Sequence, residues 1–167
     1  MEIRVGHPLN DSFLSYYRDA RGDLGSTEAE LVEEDPERLI AWMEEGEILG
    51  HAIWHPSHTE AHPDGSPREK DDREILLGLL GGPTAFVELH EIWLLEEHRG
   101  KGYGSAFFDF FEENMHQRRF RHIIYYADHP AALSLCRRRG YTEAYGVELD
   151  GSLFYVLALE LKTLKIG

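Results

Sequence analysis

The chain has 167 residues, with 17 Lys and Arg against 31 Asp and Glu, a formal net charge of −14, and one cysteine, Cys136. Apolar residues at 42% and charged residues at 29% match ordinary globular usage, which excludes a disordered tail or a fibrous repeat at a length suited to one domain. A lone cysteine excludes an internal disulfide framework, the longest apolar run (residues 153–159) is far short of the roughly 20 residues a membrane helix needs, and residues 1–7 carry no signal-peptide pattern. The expectation is a single domain over residues 1–167, cytoplasmic and with no membrane partner.

Glu2 to Gly6 alternates as a short strand. Asn10 or Asp11 is placed to cap a helix through about Ala20, with Phe13, Leu14, Tyr16 and Tyr17 on its apolar side, and Arg21-Gly22 ends it. Thr27-Glu-Ala-Glu30 has the capping-box spacing, which predicts a second helix to Glu34 before Asp35-Pro36 stops it. Arg38 to Met43 and Ile48 to His55 read as two strands of a hairpin around Glu44-Glu-Gly-Glu47. Residues 56–83 read as an extended loop, with Ile75 to Leu80 as one helical turn inside it. Thr84 to Leu95 is a long strand that carries Glu88, His90 and Glu91. A helix is expected from Tyr103 to about Gln117, where Phe107, Phe108, Phe110, Phe111 and Met115 recur at helical spacing as core residues. His122 to Ala127 is a strand, and Pro130 to Arg139 a helix with Pro in its first turn and Gly140 past its end. Tyr141 to Leu149, an Asp150-Gly151 turn and Ser152 to Leu161 form a closing hairpin.

Gly100, Gly102 and Gly104 lie between a strand end and a helix start, where backbone N–H groups converge on an anion and Arg99 and Lys101 add charge. A phosphate or pyrophosphate is the expected ligand. The loop is not a Walker A motif, because Lys101 is followed by Gly102 and not by Ser or Thr. It is not a dinucleotide fingerprint either, because Phe107 stands where the third glycine belongs.

Arg99-x-x-Gly102-x-Gly104, after a strand and opening a helix, resembles the Arg/Gln-x-x-Gly-x-Gly/Ala signature of the GNAT superfamily, the general-control-related N-acetyltransferases. His129-Pro-Ala-Ala-Leu-Ser-Leu-Cys-Arg-Arg-Arg-Gly-Tyr141 is similar to that family's second conserved segment. The element order is also similar across nearly the whole chain. The resemblance implies an α/β acyl-CoA N-acyltransferase fold, a mixed splayed central sheet of about seven strands flanked by about four helices. It implies an acetyl-CoA-dependent enzyme in which a neutral amine attacks the thioester directly. By the same resemblance Ile92, Trp93 and Leu94 lie along the pantetheine arm, with the Leu94 N–H facing the oxyanion. Arg99, Gly100, Lys101, Gly102, Tyr103, Gly104 and Ser105 bind the diphosphate, and Arg138 reaches a CoA phosphate. His129 stands where the family commonly has asparagine, and by the same resemblance it is placed to contact the cofactor.

A protonated alkylamine cannot attack, so a base or a water relay must take its proton. Glu88 is the first candidate: it lies eleven residues before Arg99, where the resemblance implies a catalytic glutamate as in some family members, and it shares a strand face with His90. Glu91 is the rival, because acidic residues at that position are common in the family it resembles and a bulge would turn it inward. Cys136 occupies the position where the family usually has a tyrosine that protonates the leaving thiolate. Its thiol suits that transfer chemically, and the alternative is a small buried apolar filler, with water, Tyr125, Tyr126, Tyr141 or Tyr145 as donor.

Residues 98–140 carry eight Arg and Lys against four Asp and Glu, so the acidity lies elsewhere, as binding of a polyanionic cofactor requires. Asp19, Asp23, Glu28, Glu30, Glu33, Glu34, Asp35 and Glu37, in a region that borders the acceptor in the family, point to a cationic small-molecule or peptide amine. Nucleic acid is disfavoured by the same charge. His51, His55, His58 and His62 fit no zinc spacing, and no metal is expected. The 56–83 loop covers the acceptor or meets a second subunit, so a homodimer is a possible assembly. The alternatives are a catalytically silent acyl-CoA-binding or regulatory domain and a nucleotide-phosphate-binding module.

Overall fold

The computed structural model describes residues 1–149 and 151–162. Its strands are β1 (Glu2–Val5), β2 (Leu39–Glu44), β3 (Glu47–His58), β4 (Ala85–Leu94), β5 (His122–Ala127), β6 (Thr142–Leu149) and β7 (Ser152–Glu160). Five α-helices accompany them among the described residues: α1 (Asp11–Arg21), α2 (Ser26–Glu34), α3 (Lys70–Leu80), α4 (Tyr103–Gln117) and α5 (Pro130–Arg138). The strands run in the sheet order β1-β2-β3-β4-β5-β7-β6. The β4–β5 pair is parallel, while β1–β2, β2–β3, β5–β7 and β6–β7 are antiparallel, so the sheet is mixed. Backbone contacts divide the chain into two compact units, residues 1–55 with 90–103, and residues 56–89 with the described residues from 104 onward. No helix among the described residues is long and apolar enough to cross a membrane.

In the first unit, Asn10 caps α1. Its side-chain oxygen accepts from the Phe13 N–H at 3.0 Å, an interaction worth about 1 kcal/mol. The helix then lays Phe13 and Tyr17 against Leu39 and Ala41 of β2 and Ile48 and Ile53 of β3, and α2 adds Leu31 and Val32 to the same core. The capping box expected at Thr27 is not used: α2 begins one residue earlier, behind Gly25, without a side-chain cap bond. The hairpin between β2 and β3 turns at Glu45 (φ +50°) and Gly46 (φ +80°), both left-handed, which matches the twist of the strands it joins.

The second unit holds the main departure from the sequence reading. Ile75 to Leu80 is not one turn in a loop but the end of the eleven-residue helix α3, closed by Gly81 in the left-handed conformation. The fourth helix expected from sequence is thereby joined by a fifth. Asp72 is buried on this helix beside buried Arg68, so two charged residues that read as solvated are interior. Leu76 packs with Phe86 of β4, Ile124 of β5, Val147 of β6, and Val156 and Ala158 of β7. Helix α4 buries Phe107, Phe108, Phe111 and Met115, while Phe110 stays half-buried. The closing hairpin pairs from Thr142↔Ala158 to Leu149↔Ser152, and the expected Asp150-Gly151 turn includes Asp150, outside the described residues.

Candidate active site

In the first unit, His51 of β3 lies opposite Ala41 of β2 in an antiparallel register and faces α1. It is fully buried. Its ring meets Phe13 edge-on at 5.7 Å between centroids and Tyr17 at 5.2 Å. His51 Nε2 lies 2.6 Å from Glu91 Oε2, and its Nδ1 lies 2.8 Å from the Tyr16 hydroxyl. Tyr17 donates its hydroxyl to Glu91 Oε1 at 2.9 Å, and Arg21 Nε stands 3.4 Å from the same oxygen. A carboxylate only accepts, so the Nε2–H tautomer of His51 donates to Glu91, and Nδ1 accepts from the Tyr16 O–H.

Burial drives the proton affinities. It lowers the pKa of His51 below the ordinary 6.5 and outweighs the Glu91 hydrogen bond that would raise it, so the ring is neutral at neutral pH. At Glu91 burial acts upward, but the hydrogen bonds from His51 and Tyr17 and the Arg21 charge hold the carboxyl below its ordinary range. Tyr16 and Tyr17 are pushed far up, first by burial and then by the Glu91 charge, so neither gives a free tyrosinate.

Strict strand alternation sends neighbouring side chains to opposite faces. On β4, however, Glu91 reaches Tyr17 of α1 while His90 Nε2 reaches Glu28 of α2 at 3.1 Å, and both helices pack into one core. Two consecutive residues on one side mean that the strand departs from alternation there, as at a bulge. The end of β4 is held close to β3. A Cβ added at Gly50 would lie 2.5 Å from the Trp93 carbonyl oxygen and 2.6 Å from the Trp42 ring, so glycine is required by that approach. Past the end of β4, the Leu95 N–H donates to the Leu49 carbonyl at 2.9 Å.

Ile92, Trp93 and Leu94 are half-buried. The guanidinium carbons of Arg21 and Arg99 lie 4.9 and 4.8 Å from the Trp93 ring centroid, and Arg99 Nε donates to the Leu94 carbonyl at 2.9 Å. Arg99 is thus locked by its own strand end. Gly100 and Gly102 are left-handed, at φ +78° and +82°, with exposed Lys101 between them, and α4 starts at Tyr103. This backbone presents consecutive amides ahead of a helix N-terminus, the arrangement that receives phosphate.

In the second unit, Glu88 is half-buried on β4, opposite Ile124 of β5, and its charge helps to raise the Tyr126 hydroxyl. A Cβ on Gly104 would come within 3.3 Å of Leu135 of α5. Ser105 accepts from Arg139 at 3.5 Å. His129 caps α5, its Nδ1 accepting from the Ala131 N–H at 3.2 Å, which gives this residue a local structural task. Arg138 is exposed and donates to Ser134, while Arg137 pairs with Glu143 and Arg139 with Glu112 and Asp109. Cys136 is fully buried, and burial with the nearby Glu112 charge pushes its thiol up to about 12. That environment supports the filler reading. Tyr141 and Tyr126 donate to Glu112 and Asp72 respectively.

Glu91 was legible as a candidate in the sequence, but its contacts with Tyr17, Arg21 and His51, and that of His51 with Tyr16, were not. The available signal was a histidine and a glycine inside the apolar run of β3, where neither belongs without a partner or a close approach.

A mixed seven-stranded sheet with a strand, a glycine-rich turn and a helix start in succession is an α/β architecture whose turn presents amides suited to a phosphate. The chain belongs to the acetyltransferase (GNAT) family, whose family model matches residues 7–141. Members of this family are acetyl-CoA-dependent N-acetyltransferases. Among curated proteins none matches the chain in sequence. Solved structures similar in fold include the mosquito arylalkylamine N-acetyltransferase like 5b (12% identity, 96% of this chain and 99% of that one, TM-score 0.71). Ard1 from Thermoplasma volcanium is similar too (16% identity, 97% and 98%, TM-score 0.68). So is the Drosophila melanogaster polyamine N-acetyltransferase, described as forming N-acetylagmatine (12% identity, 96% and 100%, TM-score 0.65).

Proposed function

We propose that this protein transfers the acetyl group of acetyl-CoA to a primary amine of a cationic acceptor by direct attack. The observation that carries the reading is the largely enclosed, ionised Glu91 carboxylate. It sits on the strand that leads into the glycine loop and is held by a neutral imidazole. Residues 99–105 hold the CoA diphosphate through backbone amides, with Lys101 and Arg138 adding charge. Ile92, Trp93 and Leu94 run beside the pantetheine, and the Leu94 N–H receives the oxyanion. Glu91 is the favoured source of base strength, and Glu88 is the second candidate. The buried Cys136 is left out of the chemistry, and the leaving thiolate takes its proton from the attacking nitrogen or from water.

The acceptor class follows from charge. Asp19, Asp23, Glu30, Glu33 and Glu34 are exposed on or just after α1 and on α2 of the first unit, which favours diamines, polyamines, guanidino-amines and basic peptide N-termini over neutral or acidic amines. The likeness to agmatine, arylalkylamine and polyamine N-acetyltransferases supports an amine acceptor.

The test is CoA-thiol release over an amine panel with the product identified by mass, alongside calorimetric CoA binding. Acetylation of cationic amines in preference to neutral ones is expected. Gly102→Val, which forces a β-branched residue to φ +82° on an exposed turn, is expected to weaken CoA binding strongly and leave the circular dichroism unchanged. Full CoA affinity in that variant would remove the loop from the cofactor site.

A further inference from the structure

We propose that Tyr16, His51 and Glu91 form a proton relay, with the Tyr16 hydroxyl as the atom that receives the acceptor's proton. The inference rests on the amine reading above and adds the route by which the ammonium is discharged.

The geometry is that of a hydroxyl, an imidazole and a carboxylate in series. Tyr16 O–H to His51 Nδ1 spans 2.8 Å, and His51 Nε2–H to Glu91 Oε2 spans 2.6 Å. The order is fixed in one direction. Glu91 is ionised and accepts from both His51 and Tyr17, so the imidazole must present its lone pair to Tyr16. Tyr16 therefore donates inward, and its oxygen lone pairs are left to accept. His51 is fully buried, whereas Tyr16 is only half-buried, so Tyr16 is the end at which a proton can enter. The titratable and charged groups around His51 are Tyr16, Tyr17 and Arg21 from α1 and Glu91 from β4, with Glu28 of α2 acting on Tyr17. The β2 neighbour is Ala41, which carries no charge.

The transfer balances as follows. An N–H proton of the acceptor ammonium passes to the Tyr16 oxygen as the Tyr16 O–H proton passes to His51 Nδ1. The tyrosine is unchanged, the imidazole becomes imidazolium, and the Glu91 carboxylate stabilises that charge in a low-dielectric setting. The freed lone pair forms the C–N bond at the thioester carbonyl. The C–S bond then breaks, and the second N–H proton leaves with the thiolate as CoA thiol. Imidazolium returns its proton to water through the same hydroxyl. Because Tyr16 resists ionisation, it conducts the proton in concert and does not store charge. In this scheme Tyr16 is the residue that meets the acceptor, His51 takes up the proton through it, and Glu91 positions and polarises His51.

The test compares wild type with Tyr16→Phe, which keeps the ring and removes the hydroxyl, across pH 6.5–10 on an amine the wild type acetylates. At pH 7 kcat is expected to fall about a hundredfold, with KM for the amine and CoA affinity little changed. The deficit should shrink as pH rises and the amine arrives already neutral. Glu91→Gln should show the same pH-dependent recovery. A Tyr16→Phe enzyme with the wild-type profile, or a deficit constant with pH, overturns the relay while leaving the amine reading intact. A wild type that acetylates no amine overturns the amine reading, and the relay with it.

Discussion

Asp72 is buried and Glu91 is nearly so, at 9% side-chain exposure; each accepts from a tyrosine hydroxyl, and they differ in what else they hold. In the second unit Asp72 accepts from Tyr126 at 2.6 Å and from Arg68 at 2.8 Å, and Arg68 is tied further to Ser57 Oγ and the His58 carbonyl. In the first unit Glu91 also has a guanidinium, Arg21 at 3.4 Å, but it accepts from Tyr17 and from His51 as well, and His51 is a neutral ring whose far nitrogen reaches a second, half-buried tyrosine. A guanidinium cannot give up its proton, so the Asp72 cluster is a fixed counter-charge and serves α3. An imidazole can gain and lose one, so the Glu91 cluster can move charge. The lesson is that burial of a carboxylate says little about its role until the protonation chemistry of its partner is known.

The largest effect that would break this contrast is Arg68→Met. It strands the Asp72 charge in the interior and is expected to remove about 3–5 kcal/mol of stability in chemical denaturation. A loss below about 1 kcal/mol would mean that the pair is solvated and the comparison misconceived. Next, Gly50→Ala drives a methyl against the Trp93 carbonyl and Trp42, with an expected loss of about 1–3 kcal/mol. Acetyl transfer should fall as well, because the end of β4 must shift, and unchanged kinetics would show that the close approach is irrelevant to the site. Tyr126→Phe sharpens the comparison most directly. Removal of its hydroxyl should lower stability by about 1.5 kcal/mol and leave the pH profile of transfer as in wild type, the reverse of Tyr16→Phe.

The smallest effect is a pH dependence of stability. The folded pKa of His51 lies below its unfolded value, so the unfolded chain binds more protons as pH falls through about 6.5, and stability declines in that direction. His7 and His122 are lowered by burial too and act with the same sign. Glu91 is depressed, so its contribution is present above the ordinary carboxyl range and is lost as pH drops below it. Thermal unfolding should therefore give a lower midpoint at pH 5.5 than at pH 7.5. A midpoint that rises on acidification would require His51 to fold protonated.

Local signals were legible where one segment carries its own reason for its shape. Asn10 caps α1, α4 runs from Tyr103 to Gln117 on its phenylalanine spacing, and the left-handed Gly100 and Gly102 form the turn that the Arg99-x-x-Gly102-x-Gly104 pattern implies. Most of helix α3 lies in or beside a stretch rich in Pro, Asp, Glu and His, a composition that reads as loop, yet Arg68 and Asp72 there are interior. Each is tolerable inside only because the other is there, four residues away, with Tyr126 another 54 residues along the chain. The relay was hidden for a similar reason. Tyr16 and His51 are 35 residues apart and His51 and Glu91 are 40 apart, and no spacing rule joins them.

The sequence by itself determined the order of the strands, four of the five helices among the described residues, the glycine turn and the family, because capping, periodicity and left-handed glycines act within a few residues of themselves. Only the tertiary structure decided which carboxylate has a neutral imidazole among its partners and which has none. Desolvation and hydrogen-bond partners are properties of a place in the fold, and the chain reaches that place from segments with no local knowledge of one another.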